Sequence, residues 1–314
     1  GEIGHVQKTL SIVVPVYFNE GSLPDLFGEL ARLEASLGER GMNLELVFVD
    51  DGSGDQSFAR LMEIKEKRPA TKVIKLARNF GAVAATKTGM KHVSGDCVAV
   101  VAADLQDPIG MVLEMADCWL DGHKFVICTR TARADPFLNR LFAAAYYRLV
   151  RALIVDDYPI GGFDLMLFDK TMLPFLVNSN KNINTHLYAF WLGFKPKVLT
   201  YKRPERRHGK SMWTFGKRLK LFLDTITGFS VTPIRLISGF GVLTSIGSFI
   251  YGLWILVGAL SGHIDVAGFA TLVSLICFFS GLILVMLGIV GEYLWRIFDI
   301  VSSKPESVID EIHC

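Results

Sequence analysis

Leu10–Glu20 reads LSIVVPVYFNE and Leu44–Ser53 reads LELVFVDDGS. Each is a short run rich in β-branched residues that stops at a polar cluster, the pattern of a strand buried on both faces of a parallel sheet. Between them Leu23, Leu26, Phe27, Leu30, Leu33 and Leu37 recur at helical spacing on one face. Lys72–Leu76, Cys97–Val101 and Phe125–Thr129 repeat the strand pattern. Strand, helix, strand at this pitch predicts an α/β fold, a Rossmann-like and mostly parallel sheet with right-handed crossovers. Ligands of such sheets sit beyond the carboxyl ends of the strands, near the point where the strand order reverses.

Four successive strand ends carry polar clusters: Pro15, Tyr17, Asn19 and Glu20; Asp50, Asp51, Gly52 and Ser53; Arg78, Asn79, Phe80 and Gly81; Asp104, Gln106, Asp107 and Pro108. Singly, DDGS reads equally well as a turn and QDP as a helix start. Together they favour a ligand site, because carboxylates gathered on one edge repel unless a cation or hydrogen-bond donors offset them. No GxGxxG follows the first strand and no GxxxxGK[ST] occurs, so neither the dinucleotide fingerprint nor the P-loop is supported. A rim of acids can instead accept hydrogen bonds from a base and ribose, and can hold a divalent metal against a diphosphate.

The charges divide the chain. Of 33 Lys+Arg and 31 Asp+Glu, only Asp265 falls between Leu236 and Gly291, while the rest has the charge density of a soluble domain. Residues 236–260 and 266–291 are each long enough to cross a hydrocarbon core of ~30 Å as a helix. The turn between them lacks Lys and Arg, whereas Arg235, Arg296 and the basic stretch 202–220 flank them. The positive-inside rule then puts both ends of the pair in the cytoplasm of a multi-pass inner-membrane protein. No signal peptide is read at the start, since Leu10–Val16 is a strand. Residues 1–210 form the cytosolic domain, 211–235 an amphipathic segment lying in the headgroup layer, and 292–314 a cytosolic tail. The acidic stretch Glu306–Glu311 of that tail is expected to extend into the cytosol, where it could pair with a neighbour's soluble domain. The net charge of +2 argues against nucleic acid as a partner. Five cysteines without a CxxC suit reduced, buried thiols rather than a zinc or disulfide framework.

VPVYFNE, VDDGS, RNFG and ADLQDP, followed by RPERRHGKSMW at Arg203–Trp213, resemble in order and spacing the family-2 glycosyltransferases of GT-A fold. The likeness is to the polyprenyl-phosphate sugar transferases, which include dolichol-phosphate mannose synthases and bacterial undecaprenyl-phosphate glucosyltransferases with two membrane spans. It implies that Pro15, Tyr17, Glu20 and Asp50 cradle the base and ribose of a nucleotide-sugar, with Asp51, Arg78 and Asn79 close by. Asp104 and Gln106 would bind Mg²⁺ or Mn²⁺, and Arg130, Arg140, Arg203 and Arg206 would grip the acceptor phosphate. Asp157 is the second candidate catalytic acid, placed to orient the arginines or the sugar. Two departures stand out: Ala102 occupies the position of the family's first metal-motif acid, and Phe18 is inserted between Tyr17 and Asn19.

The implied reaction is inverting attack by a phosphate oxygen of undecaprenyl phosphate on the anomeric carbon of UDP-glucose. A phosphate is already anionic at neutral pH, so no strong general base is required. GDP-mannose and a UDP-aminoarabinose remain alternative donors, and a membrane-anchored nucleotide-sugar-binding protein without turnover is the alternative from another class. A processive polysaccharide synthase would carry QxxRW, which is absent. The resemblance also implies a homotetramer, and Gly239, Gly241, Ser245 and Gly247 offer a small-residue face for packing between spans.

Overall fold

The computed structural model describes residues 7–106, 108–131, 137–181, 183–201, 225, 227–230, 232–261, 268–302 and 304–314. They belong to two compact units, Gly1–Phe222 with Lys304–Cys314, and Leu223–Ser303.

The first unit is built on an eight-stranded sheet. Its elements are β1 (Lys8–Val16), α1 (Leu23–Glu39), β2 (Met42–Asp50), α2 (Ser57–Lys67), β3 (Lys72–Leu76), α3 (Ala82–Met90), β4 (Cys97–Val100), α4 (Ile109–Leu120), β5 (Phe125–Arg130), α5 (Phe137–Leu153), β6 (Leu165–Asp169), α6 (Leu173–Val177), α7 (Thr185–Trp191), β7 (Lys197–Tyr201) and β8 (Ile309–His313). The spatial order is β7-β5-β6-β4-β1-β2-β3-β8. β6 runs antiparallel to β4 and β5, and β8 antiparallel to β3; the other pairings are parallel. The order reverses at β1, which lies between β4 and β2, the kind of switch point beside which such sheets bind ligands. The five strands expected from the sequence all form. The helical stripe of α1 buries Leu23, Leu26, Leu30, Leu33 and Leu37 in the main core with Ile12, Val14, Leu46 and Phe48.

At the amino ends of the strands, opposite the crevice, Glu45 ties three strands together. Its carboxylate accepts from Lys72 Nζ at 2.7 Å, from Ser94 N–H at 2.7 Å, and from the Ser11 and Ser94 hydroxyls. Burial acts to raise its pKa, but the hydrogen bonds from Lys72, Ser11 and Ser94 prevail and hold it at about 2, below the ordinary 4.5. A depressed carboxyl stabilises the fold above its unfolded pKa and loses that contribution as pH falls through the folded value. Glu45→Gln is therefore expected to cost on the order of 3 kcal/mol at neutral pH, with the deficit shrinking between about pH 4.5 and 2, as read from unfolding midpoints across pH.

The far edge of the sheet departs from the sequence-based expectation for the tail. Residues 304–314 return to their own domain, and β8 closes the β3 edge with Val73 opposite His313 and Lys75 opposite Glu311. Lys75 Nζ donates to Glu311 at 2.7 Å, and Ala77 N–H to the Val308 carbonyl at 3.0 Å. Beneath this strap Lys87 of α3 is buried, its side chain 1% exposed. Its ammonium donates to the carbonyls of Ser179 and Asn180 at 2.7 and 3.2 Å and to both oxygens of Glu306 at 2.9 and 3.0 Å. Thr88 and Ser307 share a hydroxyl contact at 2.6 Å.

The second unit contains two long helices, Thr232–Leu260 and Phe269–Val301, which cover most of the two uncharged runs. Within the second, Phe278–Val301 has the length and apolarity, mean hydropathy 1.8, to cross a membrane. Tyr293 Oη donates to the Ser230 carbonyl at 2.8 Å and Arg296 Nε to Thr227 Oγ1 at 2.7 Å.

Candidate active site

The site is built where β1, β2 and β4 end. Asp50, the last residue of β2, is fully buried, and its Oδ2 accepts the Ser53 N–H at 3.3 Å. Its Oδ1 is buried and has no hydrogen-bond partner among the described residues. Burial pushes the Asp50 carboxyl above its ordinary pKa, against the pull of Ser53. A buried acceptor without a donor is costly, so the position is suited to an N–H or O–H brought by a ligand.

Asp51 next to it has a different task. Its two oxygens accept the N–H groups of Phe80 and Gly81 at 2.7 and 2.9 Å, which pins the Arg78–Gly81 loop at the start of α3. Burial raises its pKa too, opposed by those two donors. Gly52 lets the loop approach: it has φ +69°, and a Cβ there would stand 2.6 Å from the Arg78 carbonyl carbon. Arg78 in turn lies over the Phe80 ring, 4.1 Å from its centroid.

At the end of β1, Pro15 and Tyr17 line the rim half-buried. Phe18, the extra residue, is absorbed by a left-handed turn at φ +55° that leaves it exposed, edge-on to Tyr17. Asn19 Oδ1 accepts the Tyr17 N–H at 2.9 Å, and the Phe18 N–H reaches Ser53 Oγ at 3.2 Å. Glu20 accepts the Gln56 N–H at 2.8 Å, so its carboxylate bridges to the start of α2. After β4, Ser22 Oγ donates to the Ala103 carbonyl at 2.7 Å, Leu105 turns left-handed at φ +59°, and the Gln106 N–H meets Asp104 Oδ1 at 3.2 Å. Phe18 and Leu105 are the two non-glycine residues with positive φ among the described residues, and both lie at this rim. Backbone strain of this kind, of order 1–3 kcal/mol per residue, collects at functional sites.

Among the described residues no three His, Cys, Asp or Glu side chains gather as a metal cluster. Ala102 leaves Asp104 as the acid of this loop, with Asp107 outside the described residues. One carboxylate and the Gln106 amide are hard oxygen donors that fit a Mg²⁺ or Mn²⁺ ion retaining several waters and substrate oxygens.

Three strands from β1 in the sheet, Arg130 at the end of β5 is paired through Nε and Nη2 with Asp164, and Tyr201 Oη donates to the same carboxylate at 3.0 Å. Asp164 and Tyr201 carry no motif of their own and were not read as site residues from the sequence; the signal available was the carboxylate just before a strand. Arg140 lies on α5, Asp157 is exposed in the loop after it, and Arg203 and Arg206 lie outside the described residues. Pro15, Tyr17, Asp50, Asp51, Arg78 and Asn79 thus stand at or just beyond the carboxyl ends of β1, β2 and β3, while Glu20 is turned toward α2.

The mostly parallel, Rossmann-like sheet has a GT-A-like fold. Glucosyl-3-phosphoglycerate synthase from Mycobacterium tuberculosis, solved with Mn²⁺, UDP-glucose and phosphoglyceric acid, shares it with a TM-score of 0.51 at 16% identity, over 70% of this chain and 78% of that one. Residues 11–181 match the family described as Glycosyl transferase family 2. An uncharacterized glycosyltransferase of Bacillus subtilis (strain 168) is 35% identical over 309 residues, 98% of this chain and 94% of that protein. The bactoprenol glucosyl transferase of Shigella phage SfII is 30% identical over 311 residues, 97% of this chain and 98% of its own length. The chain belongs to glycosyl transferase family 2 and is a glycosyltransferase.

Proposed function

We propose that the protein transfers glucose from UDP-glucose to undecaprenyl phosphate with inversion at the anomeric carbon, on the cytosolic face of a membrane that its two apolar helices span. The observation that carries the donor side is Asp50 Oδ1 at the end of β2, buried and without a hydrogen-bond partner among the described residues, an acceptor suited to a base N–H. The acceptor and sugar rest on the full-length likeness to bactoprenol glucosyl transferases.

In this reading Pro15 and Tyr17 flank the base, Asp50 accepts from it, and Asp51 holds the Arg78-Asn79 loop against the nucleotide. Asp104 and Gln106 would hold Mg²⁺ or Mn²⁺, which when bound supplies positive charge to the departing diphosphate. Arg130, with Arg140, Arg203 and Arg206, draws the acceptor phosphate to the sugar, and Asp157 orients that group of cations. The work is positioning and charge stabilisation of two anions, and the acceptor oxygen needs no proton removed.

The test is transfer of labelled sugar by the full chain in detergent, from a panel of nucleotide-sugars to undecaprenyl phosphate, with and without EDTA. UDP-glucose is expected to give an organic-soluble product that EDTA abolishes and Mg²⁺ or Mn²⁺ restores. Exclusive use of GDP-mannose would overturn the donor assignment, and activity indifferent to EDTA the metal.

A further inference from the structure

Arg130 ends β5, Tyr201 ends β7 and Asp164 immediately precedes β6, and these three strands are neighbours in the sheet. Because β6 runs antiparallel, its first residues lie at the carboxyl ends of its neighbours: Leu165 stands opposite Cys128 of β5, and Met166 opposite Val100 of β4. Asp164, one residue earlier, is therefore on the same rim as the Asp104 loop. Its backbone is fixed on both sides, the N–H donating to the Cys128 carbonyl at 3.2 Å and the carbonyl 3.1 Å from Nε2 of His186 on α7. Its Oδ1 accepts from Arg130 Nη2 at 2.6 Å, and its Oδ2 from Arg130 Nε and from Tyr201 Oη. Both charged side chains remain about a quarter exposed, 23% and 25%, so solvent reaches the pair from the rim.

A guanidinium carries five N–H donors in one plane. Asp164 takes the side edge, Nε and one hydrogen of Nη2. The end edge, Nη1 with the other Nη2 hydrogen, points away from the carboxylate and matches the spacing of two oxygens of a second oxyanion. We propose that Asp164, steadied by Tyr201, is a positioning residue: it locks Arg130 by its side edge so that the end edge is presented, already oriented, to the phosphate of the acceptor lipid. The inference rests on the reading above that Arg130 grips the acceptor phosphate. The rotamer freedom of the long side chain is given up during folding rather than on binding, which tightens acceptor use and leaves the donor site on β1 and β2 untouched.

The test measures kcat and KM separately for UDP-glucose and undecaprenyl phosphate with the full chain in detergent. Asp164→Ala is expected to raise the acceptor KM about tenfold or more, with the donor KM held within about twofold. Asp164→Asn keeps one acceptor oxygen for Arg130 Nε and Tyr201 but turns an NH2 toward Arg130 Nη2, so its acceptor KM is expected to fall between those of Asp164→Ala and the wild type. Should Asp164→Ala fail to fold, Asp164→Glu keeps the charge but moves the carboxylate outward by one methylene, and is expected to raise the acceptor KM severalfold. A purely structural role would lower the thermal midpoint with both KM values unchanged or shifted together, and either result overturns the proposal. Transfer by the wild type to the lipid phosphate, with an unmoved acceptor KM in the variants, removes the positioning role alone. A wild type that uses only soluble acceptors removes the acceptor reading and this proposal with it.

Discussion

Asp104→Ala is expected to lower sugar transfer by about a thousandfold, equivalent to about 4 kcal/mol of transition-state stabilisation. The size follows from Ala102: the family motif's first acid is missing here, and Asp104 is the carboxylate of this loop among the described residues. Ser22 on the Ala103 carbonyl still anchors the loop when Asp104 is replaced, while the bond from the Gln106 N–H to Asp104 is lost with the charge. Asp104→Asn separates the two contributions: an amide oxygen still accepts the Gln106 N–H, but the anion is gone. Its expected signature is a large rise in the Mg²⁺ or Mn²⁺ concentration needed for half-maximal rate, with the thermal midpoint unchanged. Turnover by Asp104→Ala close to the wild type would end the metal assignment.

The second large effect is on stability. Lys87 is buried with its ammonium shared between two carbonyls and Glu306, and removing one partner of such a pair leaves an uncompensated charge. Glu306→Gln is expected to destabilise the catalytic domain by about 3 kcal/mol. Deleting Lys304–Cys314 is expected to do more, since it also strips β8 from the β3 edge and the Val308 carbonyl from Ala77. The double variant Lys87→Met/Glu306→Leu should recover part of the loss, because a buried ion pair is often replaceable by apolar packing. Recovery stays incomplete because the Ser179 and Asn180 carbonyls lose their donor. Thermal unfolding of the four proteins in detergent reads the series, and a Glu306→Gln midpoint equal to the wild type would refute the account.

The sheet was legible because each of its early strands is a continuous apolar run ending in a polar cluster, and because the α1 stripe keeps one period for four turns. The position of the residues proposed for the donor was legible for the same reason, since residues at strand ends occupy a place fixed by topology alone. What the sequence hid is long-range or antiparallel. Asp51 and Asp50 are adjacent and chemically alike, yet one binds the backbone of a loop 29 residues on while the other has a buried oxygen with no partner among the described residues. Glu20 lies in a motif but is bonded to the start of α2. Asp164 reaches the rim only because β6 runs backwards, and no local pattern announces strand direction. The tail reads as acidic and solvated, while its isoleucines and Glu306 find partners more than 200 residues earlier.

That last pairing bears on how the protein is made. β8 follows both apolar helices in the chain, so during synthesis the β3 edge and the buried ammonium of Lys87 wait until those helices have left the ribosome. Until then the sheet exposes a bare strand, the kind of edge that recruits other chains. Pairings this distant in sequence close late. The order of translation thereby makes completion of the catalytic domain follow synthesis of the apolar segments.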